Sequence, residues 1–223
     1  MFAATRIGLL KNQASGQASG LRIVGTASAD GMGGATVTMP AGCQIGDTVV
    51  LFVLAYIDKA TAVTPTITTS GYTIQQVASF GARNDLHTKR FTSGVDSAVA
   101  VTAPTSARCV CLVHVWRGVN AATPMDVEPT RNVGSMYPPA ITPVTQQAVV
   151  LAMGGGGDSS SVIPSEPPGY SNAVARAPLT GSSYARAILV SKVWSGSGAE
   201  APPLLATAST NYAGAITAAL RPE

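Results

Sequence analysis

The longest apolar stretch in the chain is "TVVLFVLAYI", Thr48 to Ile57, with no charged position in it. It is rich in β-branched residues, lies between Gly46 and Pro65, and has no capping residues, which fits a central strand buried on both faces. "SARCVCLVHVWRGV", from Ser106, is almost as apolar. A period of two there puts Cys109, Cys111, Val113 and Val115 on one face and Val110, Leu112, His114 and Trp116 on the other. Around these two segments the pattern alternates in shorter runs: "LRIVGTAS", "GATVTMP" up to Pro40, "GYTIQQVASF", "LHTKRFTSG" and "SAVAVTAP". Glycine-rich breaks such as "AGCQIGD" separate them as turns. No segment joins a helical period to caps, so the pattern predicts an all-β protein.

The second half of the chain retraces the first. "QQAVVLAMGGGGD" matches "GDTVVLFVLAYID", and "PPGYSNAVARA" matches "TSGYTIQQVAS". "SYARAILVSKVWSGSG" takes the place of "NDLHTKRFTSGVD", "PPLLATAST" that of "SAVAVTAPT", and "NYAGAITAALRPE" that of "ARCVCLVHVWRGV". Five elements in one order point to two repeated halves, about 21–119 and 144–223. Gly71-Tyr72 and Gly169-Tyr170 then occupy equivalent corners. Residues 120–143 are rich in Pro and Asn, show no period, and read as a long connection that is either functional or a boundary. Residues 1–20 read as an N-terminal arm, with apolar "RIGLL" ahead of a linker-like "NQASGQASG". The halves could form two small sandwiches or interleave into one. Aromatic residues make up only 5% of the chain, a thin core for a free-standing half, so we expect a single jelly-roll-like β-sandwich.

Composition changes the picture in one respect. Charged residues are 11% of the chain, where soluble proteins carry about a quarter. Such a surface suits either a β protein with Ser and Thr on its wet faces or one covered by other subunits. The formal net charge is +3, and its basic residues are scattered, so no nucleic-acid patch is expected. The mean hydropathy is +0.26, but the longest apolar run is too short to cross a bilayer, and Lys11 interrupts the N-terminal apolar segment of any signal peptide. The three cysteines, Cys43, Cys109 and Cys111, form no disulfide framework and no four-ligand metal spacing.

Candidate chemistry is sparse. Cys111 and His114 are three apart on a strand and point to opposite faces, which disfavours a thiolate–imidazole pair. His87 sits on an alternating strand beside Lys89. "GGGGD", Gly154 to Asp158, lacks the Lys and Ser/Thr of a phosphate loop and reads as a flexible strand-to-strand loop. The acids sit mostly in turns, and no pair is singled out for glycosidase chemistry. We therefore expect no enzymatic activity, no metal and no cofactor. The remaining candidates for binding or interface are Trp116 and Trp194 at strand ends, Tyr72 and Tyr170 at the repeated corners, and Asp158 in the glycine-rich loop.

Some of these motifs are familiar together: "PAGCQIGDTVVL" from Pro40, the turn into Gly-Tyr, "WRGV" at Trp116 to Val119, "PMD" at Pro124 to Asp126, and "AALRP" at Ala218 to Pro222. From Leu21 onward the chain resembles the duplicated β-sandwich proteins among the structural genes of tailed bacteriophages and related prophages. The resemblance implies a virion structural component: a capsid decoration (cement) protein, a head fibre or a minor tail protein. It also implies major capsid or tail proteins and further copies of the chain as partners, and assembly into the virion in the host cytoplasm. The alternative is a β-sandwich module that binds a host surface or glycan through its Trp and Tyr residues and the "GGGGDSSS" loop.

Overall fold

The computed structural model describes residues 20–57, 61–158, 162–180, 183–205 and 212–223. Among them every regular element is a strand: β1 (Arg22–Met32), β2 (Gly34–Thr38), β3 (Thr48–Tyr56), β4 (Thr66–Ile67), β5 (Thr73–Phe80), β6 (Ala82–Arg90), β7 (Ala98–Thr102), β8 (Arg108–Arg117), β9 (Met125–Val133), β10 (Val149–Asp158), β11 (Ser171–Arg176), β12 (Leu179–Thr180), β13 (Ser183–Val193) and β14 (Ala213–Leu220). The all-β expectation holds.

The strands form three antiparallel sheets. One runs β1-β8-β3-β6-β5, a second β11-β13-β10-β14-β9 with β12 beside β13, and a small third β2-β7-β4. The two large sheets face each other. β1 lies against β11, β8 against β13, β3 against β10, β6 against β14, and β5 against β9. Written as β1-β8-β3-β6-β5 and β9-β14-β10-β13-β11, the two sheets have one strand order. Each facing pair also has its exchanged counterpart, β1/β11 with β9/β5 and β8/β13 with β14/β6.

The single sandwich with one shared core is observed, but without the interleaving expected of it. Strands do not alternate between the large sheets, because each sheet is drawn from one half of the chain. The halves nevertheless share one core. Val50, Phe52, Leu54, Leu112 and Trp116 of the first sheet pack with Leu151, Met153, Leu189, Ile216 and Leu220 of the second. Every one of these side chains is at most 3% exposed, and each contributes about 1.5–3 kcal/mol through burial.

The other face of the first sheet is also dry. Val49, Leu51, Val53, Cys109, Cys111, Val113 and Val115 pack beneath the small sheet on Val37, Val99 and Val101. The first sheet is thus a middle layer, which is why β3 is buried at all nine positions. The two face sets read from β8 are those observed. The outer face of the second sheet is covered by loop residues instead: Met136, Tyr170 and Leu205 in one cluster, and Ile141 and Trp194 in another.

Four readings are corrected. The 120–143 connection holds a strand, β9, at the edge of the second sheet. Its Pro129 and scattered charges hide the alternation, and an edge strand tolerates both. "GGGGD" is not a loop. Gly154–Gly157 are buried in β10; all four pair with β13, and Gly154–Gly156 pair with β14 as well. Four glycines have no side-chain pattern to read, and the space around them explains their choice. A Cβ on Gly156 would lie 2.6 Å from the Tyr212 carbonyl oxygen. One on Gly155 would lie 3.0 Å from Asn84 Oδ1, and one on its neighbour Gly214 would lie 2.7 Å from Asn84 Nδ2.

The third correction is one of register. Aligning "TVVL" with "AVVL" equates Val49 with Val149. Yet Val49 pairs with Lys89 and Val115, and the residue that pairs with Lys192 and Ala219 is Val150. A shift of one residue exchanges faces, and Val149 does point into the shared core while Val49 points away from it. Fourth, "PPLLATAST" does not repeat β7 where it is described: Pro202–Leu205 form no strand, and 206–210 lie outside the described residues, as do 1–19 of the arm.

Candidate functional site

The recurring Gly-Tyr corners are built alike. Gly71 and Gly169 have φ of 86° and 81°, a left-handed conformation that glycine adopts without penalty. Each glycine turns the chain into a tyrosine at the start of an edge strand, and a lysine from the neighbouring strand reaches over the ring. Lys89 Nζ lies 5.4 Å from the Tyr72 centroid, and Lys192 Nζ lies 5.7 Å from that of Tyr170. Each lysine then meets a carboxylate: Asp96 at 2.7 Å and Glu200 at 2.9 Å. Tyr170 also donates its hydroxyl to Glu200 at 3.1 Å. Burial, then the carboxylate of Asp96 or Glu200, pushes both phenols above their ordinary range. Neither ring offers an ionisable phenolate near neutral pH, and both serve to hold the corner.

The same end of the molecule carries two arginine clamps, one per sheet. Arg117, just past the Trp116 position of β8, grips Asp47 through Nε at 2.7 Å and Nη2 at 2.8 Å. Arg221, just past β14, donates to Asp126 at 3.2 Å. Both carboxylates have fully buried side chains. Burial alone would raise the Asp126 pKa, but hydrogen bonds from Thr145, Val144 and Arg221 outweigh it and hold the carboxyl below its usual range. The clamps were legible in outline, since "WRGV" and "AALRP" each end a strand in arginine. Their aspartates were not, because Asp47 and Asp126 stand at unrelated places in the two halves. A bridge from Val119 to Pro222 joins the two clamped ends.

Both lateral edges are also stapled across the sheets. On one side Arg176 of β11 donates to the Ser28 carbonyl and hydroxyl and to Asp30 of β1. On the other, Gln76 of β5 donates to the Pro129 carbonyl of β9, and Arg131 of β9 donates to the Val77 carbonyl of β5. The Gln76 amide oxygen accepts from Val77 N–H. Backbone groups that another strand could pair with are therefore occupied. With Arg83–Asp85 and Arg90–Glu223, ion pairs among the described residues hold at least seven lysines and arginines.

His114 sits between the sheets at 0% exposure, its ring 6.1 Å from that of Trp116. Neither ring nitrogen has a hydrogen-bond partner among the described residues. Burial lowers its pKa from 6.5 to about 4, and the Asn172 backbone, near the ring but outside hydrogen-bond geometry, offsets only part of this. Cys111 belongs to the opposite face of β8, as the spacing predicts, and burial raises its thiol above the ordinary range, as it raises Cys109 to about 11. These are inert packing thiols.

The remaining candidates do not converge on one site. Trp116 is 3% exposed in the shared core, and Trp194 is 7% exposed under the loops outside the second sheet, its Nε1 donating to the Gly198 carbonyl. Neither indole therefore presents a face to a sugar, and of the tyrosines Tyr170 is 6% exposed and Tyr72 half-buried. Asp158 closes β10 opposite Tyr184, and the 159–161 serine run lies outside the described residues. Among the described residues no cluster of three or more His, Cys, Asp or Glu could hold a metal, and no helix is long and apolar enough to cross a membrane. No protein-family model, curated protein or solved structure matches the chain.

Proposed function

We propose that this chain is a structural building block of a tailed-bacteriophage particle, a capsid decoration or minor tail protein that works through protein–protein contacts. We also infer that its two large sheets descend from one duplicated unit. The observation that carries the first reading is the placement of charge. Most described charges are bound in internal pairs, while the broad outer face of the small sheet carries none. The outer face of the small sheet presents Thr36, Thr38, Thr66, Ala98, Ala100 and Thr102. Such faces approach a neighbouring protein without stripping water from ions, and closed lateral edges keep the units from pairing as strands. The common strand order and the matched Tyr–Lys–carboxylate corners support duplication.

The reading makes the chain a stoichiometric particle component, with capsid or tail proteins and further copies of itself as neighbours. Quantitative mass spectrometry of gradient-purified particles from the encoding phage or induced prophage tests it. Tens of copies per particle are expected of a decoration protein, and several of a tail protein, on the order of the symmetry of each. Absence from washed particles overturns the proposal.

A further inference from the structure

The outer face of the second sheet holds a groove of 190 Å³ between two extended segments, 162–168 and 203–205. Its walls are mixed, and their apolar side chains are wet: Val162 is 64% exposed, Ile163 59% and Leu204 45%, with Leu205 buried behind them. Pro164, Pro167, Pro168 and Pro203 stiffen both walls. The volume is below that of ordinary small-molecule pockets, about 300–1,000 Å³, and suits one or two aliphatic side chains. Glu166 lines the groove and forms no ion pair among the described residues, and Arg186 of β13, 2% exposed, lines its floor. One Glu166 oxygen accepts from Ala173 N–H.

We propose that this groove is the docking site for the chain's own N-terminal segment Arg6–Lys11, "RIGLLK". Three lines converge on that occupant. Its Ile7, Leu9 and Leu10 are aliphatic side chains of the size the groove admits. Arg6 and Lys11 flank them with positive charge, matching the free side of Glu166. The topology supplies the reach. The described chain begins at Gly20, just before β1, and β1 lies against β11, whose start at Ser171 follows the groove wall directly. The eight residues 12–19 between span about 26 Å when extended, so the segment can reach the groove of its own copy or of a neighbour.

The experiment is paramagnetic relaxation on the full chain. A nitroxide is attached to Gly8→Cys in a Cys43→Ser background, Cys109 and Cys111 being buried. Methyl signals of Val162, Ile163 and Leu204 are compared with those of Val37 and Val99 in the small sheet. The proposal predicts at least tenfold stronger broadening in the groove, lost in Ile163→Asp/Leu204→Asp. Far-UV circular dichroism checks that this variant, altered only at exposed positions, keeps its fold. Broadening that survives dilution places the segment in its own groove, and broadening that fades places it in a neighbour's. Either supports docking. Groove methyls no more affected than Val37 and Val99, or equally affected in the aspartate variant, overturn it.

Discussion

Acid should loosen the packing of the two sheets through His114. A histidine with a folded pKa of about 4 and an unfolded value of 6.5 sheds its proton on folding. Its contribution to stability is complete above pH 6.5 and is lost as pH falls toward 4. The full loss is about 3 kcal/mol, and the part between pH 7 and pH 5 about 2 kcal/mol. The lower figure is the useful one, because ordinary carboxylates remain largely ionised at pH 5. The partner for comparison is His114→Leu, which keeps an apolar side chain among Val50, Leu112 and Trp116 and removes the titration. Urea unfolding of both proteins at pH 7 and pH 5 gives the double difference. The wild type should lose about 2 kcal/mol more than the variant. Equal losses would refute the reasoning, since they would mean that the imidazole is either hydrated or already paired in the folded protein.

Other predictions follow from the same geometry. Gly156→Ala forces a methyl against the Tyr212 carbonyl and should destabilise by about 1–3 kcal/mol; were the glycine run a loop, alanine would instead stabilise by about 0.5 kcal/mol, so the sign in a denaturation curve decides. Arg117→Ala leaves the fully buried Asp47 carboxylate without its cation, at a cost of about 3 kcal/mol by urea titration at pH 7. Gln76→Ala with Arg131→Ala unblocks β5 at its middle: the melting temperature should shift by no more than a few degrees, but light scattering should show stronger concentration-dependent association than in the wild type.

The legible parts of this fold are those where side chains report the environment on both faces. β3 and β8 announce burial because every position is apolar, and the face assignments for Cys109, Cys111, His114 and Trp116 followed from a period of two. The Gly-Tyr corners were visible because a positive φ and a ring at a strand start leave a dipeptide signature. β10 was opaque from Gly154 onward because its role there is to be thin, leaving room for Asn84 and for the Tyr212 backbone. β9 was opaque because an edge strand carries Pro129 without penalty. The register of β10 was misread by one residue because "VVL" satisfies either face of a strand that is buried on both. The clamps needed three dimensions, since Asp47 precedes β3 whereas Asp126 lies on β9, and only the fold brings each beside its arginine.

The central claim is the proposal that this double-sheet molecule is a particle component seated through its broad outer faces. An electron cryomicroscopy reconstruction of the encoding phage tests it most directly. The account predicts repeated density into which two facing five-stranded sheets and the small third sheet fit as one rigid body. The uncharged threonine and alanine face, or the groove over the second sheet, should lie against a neighbouring subunit. A map that accounts for the whole particle with no such density, or one in which both surfaces face solvent, would contradict it.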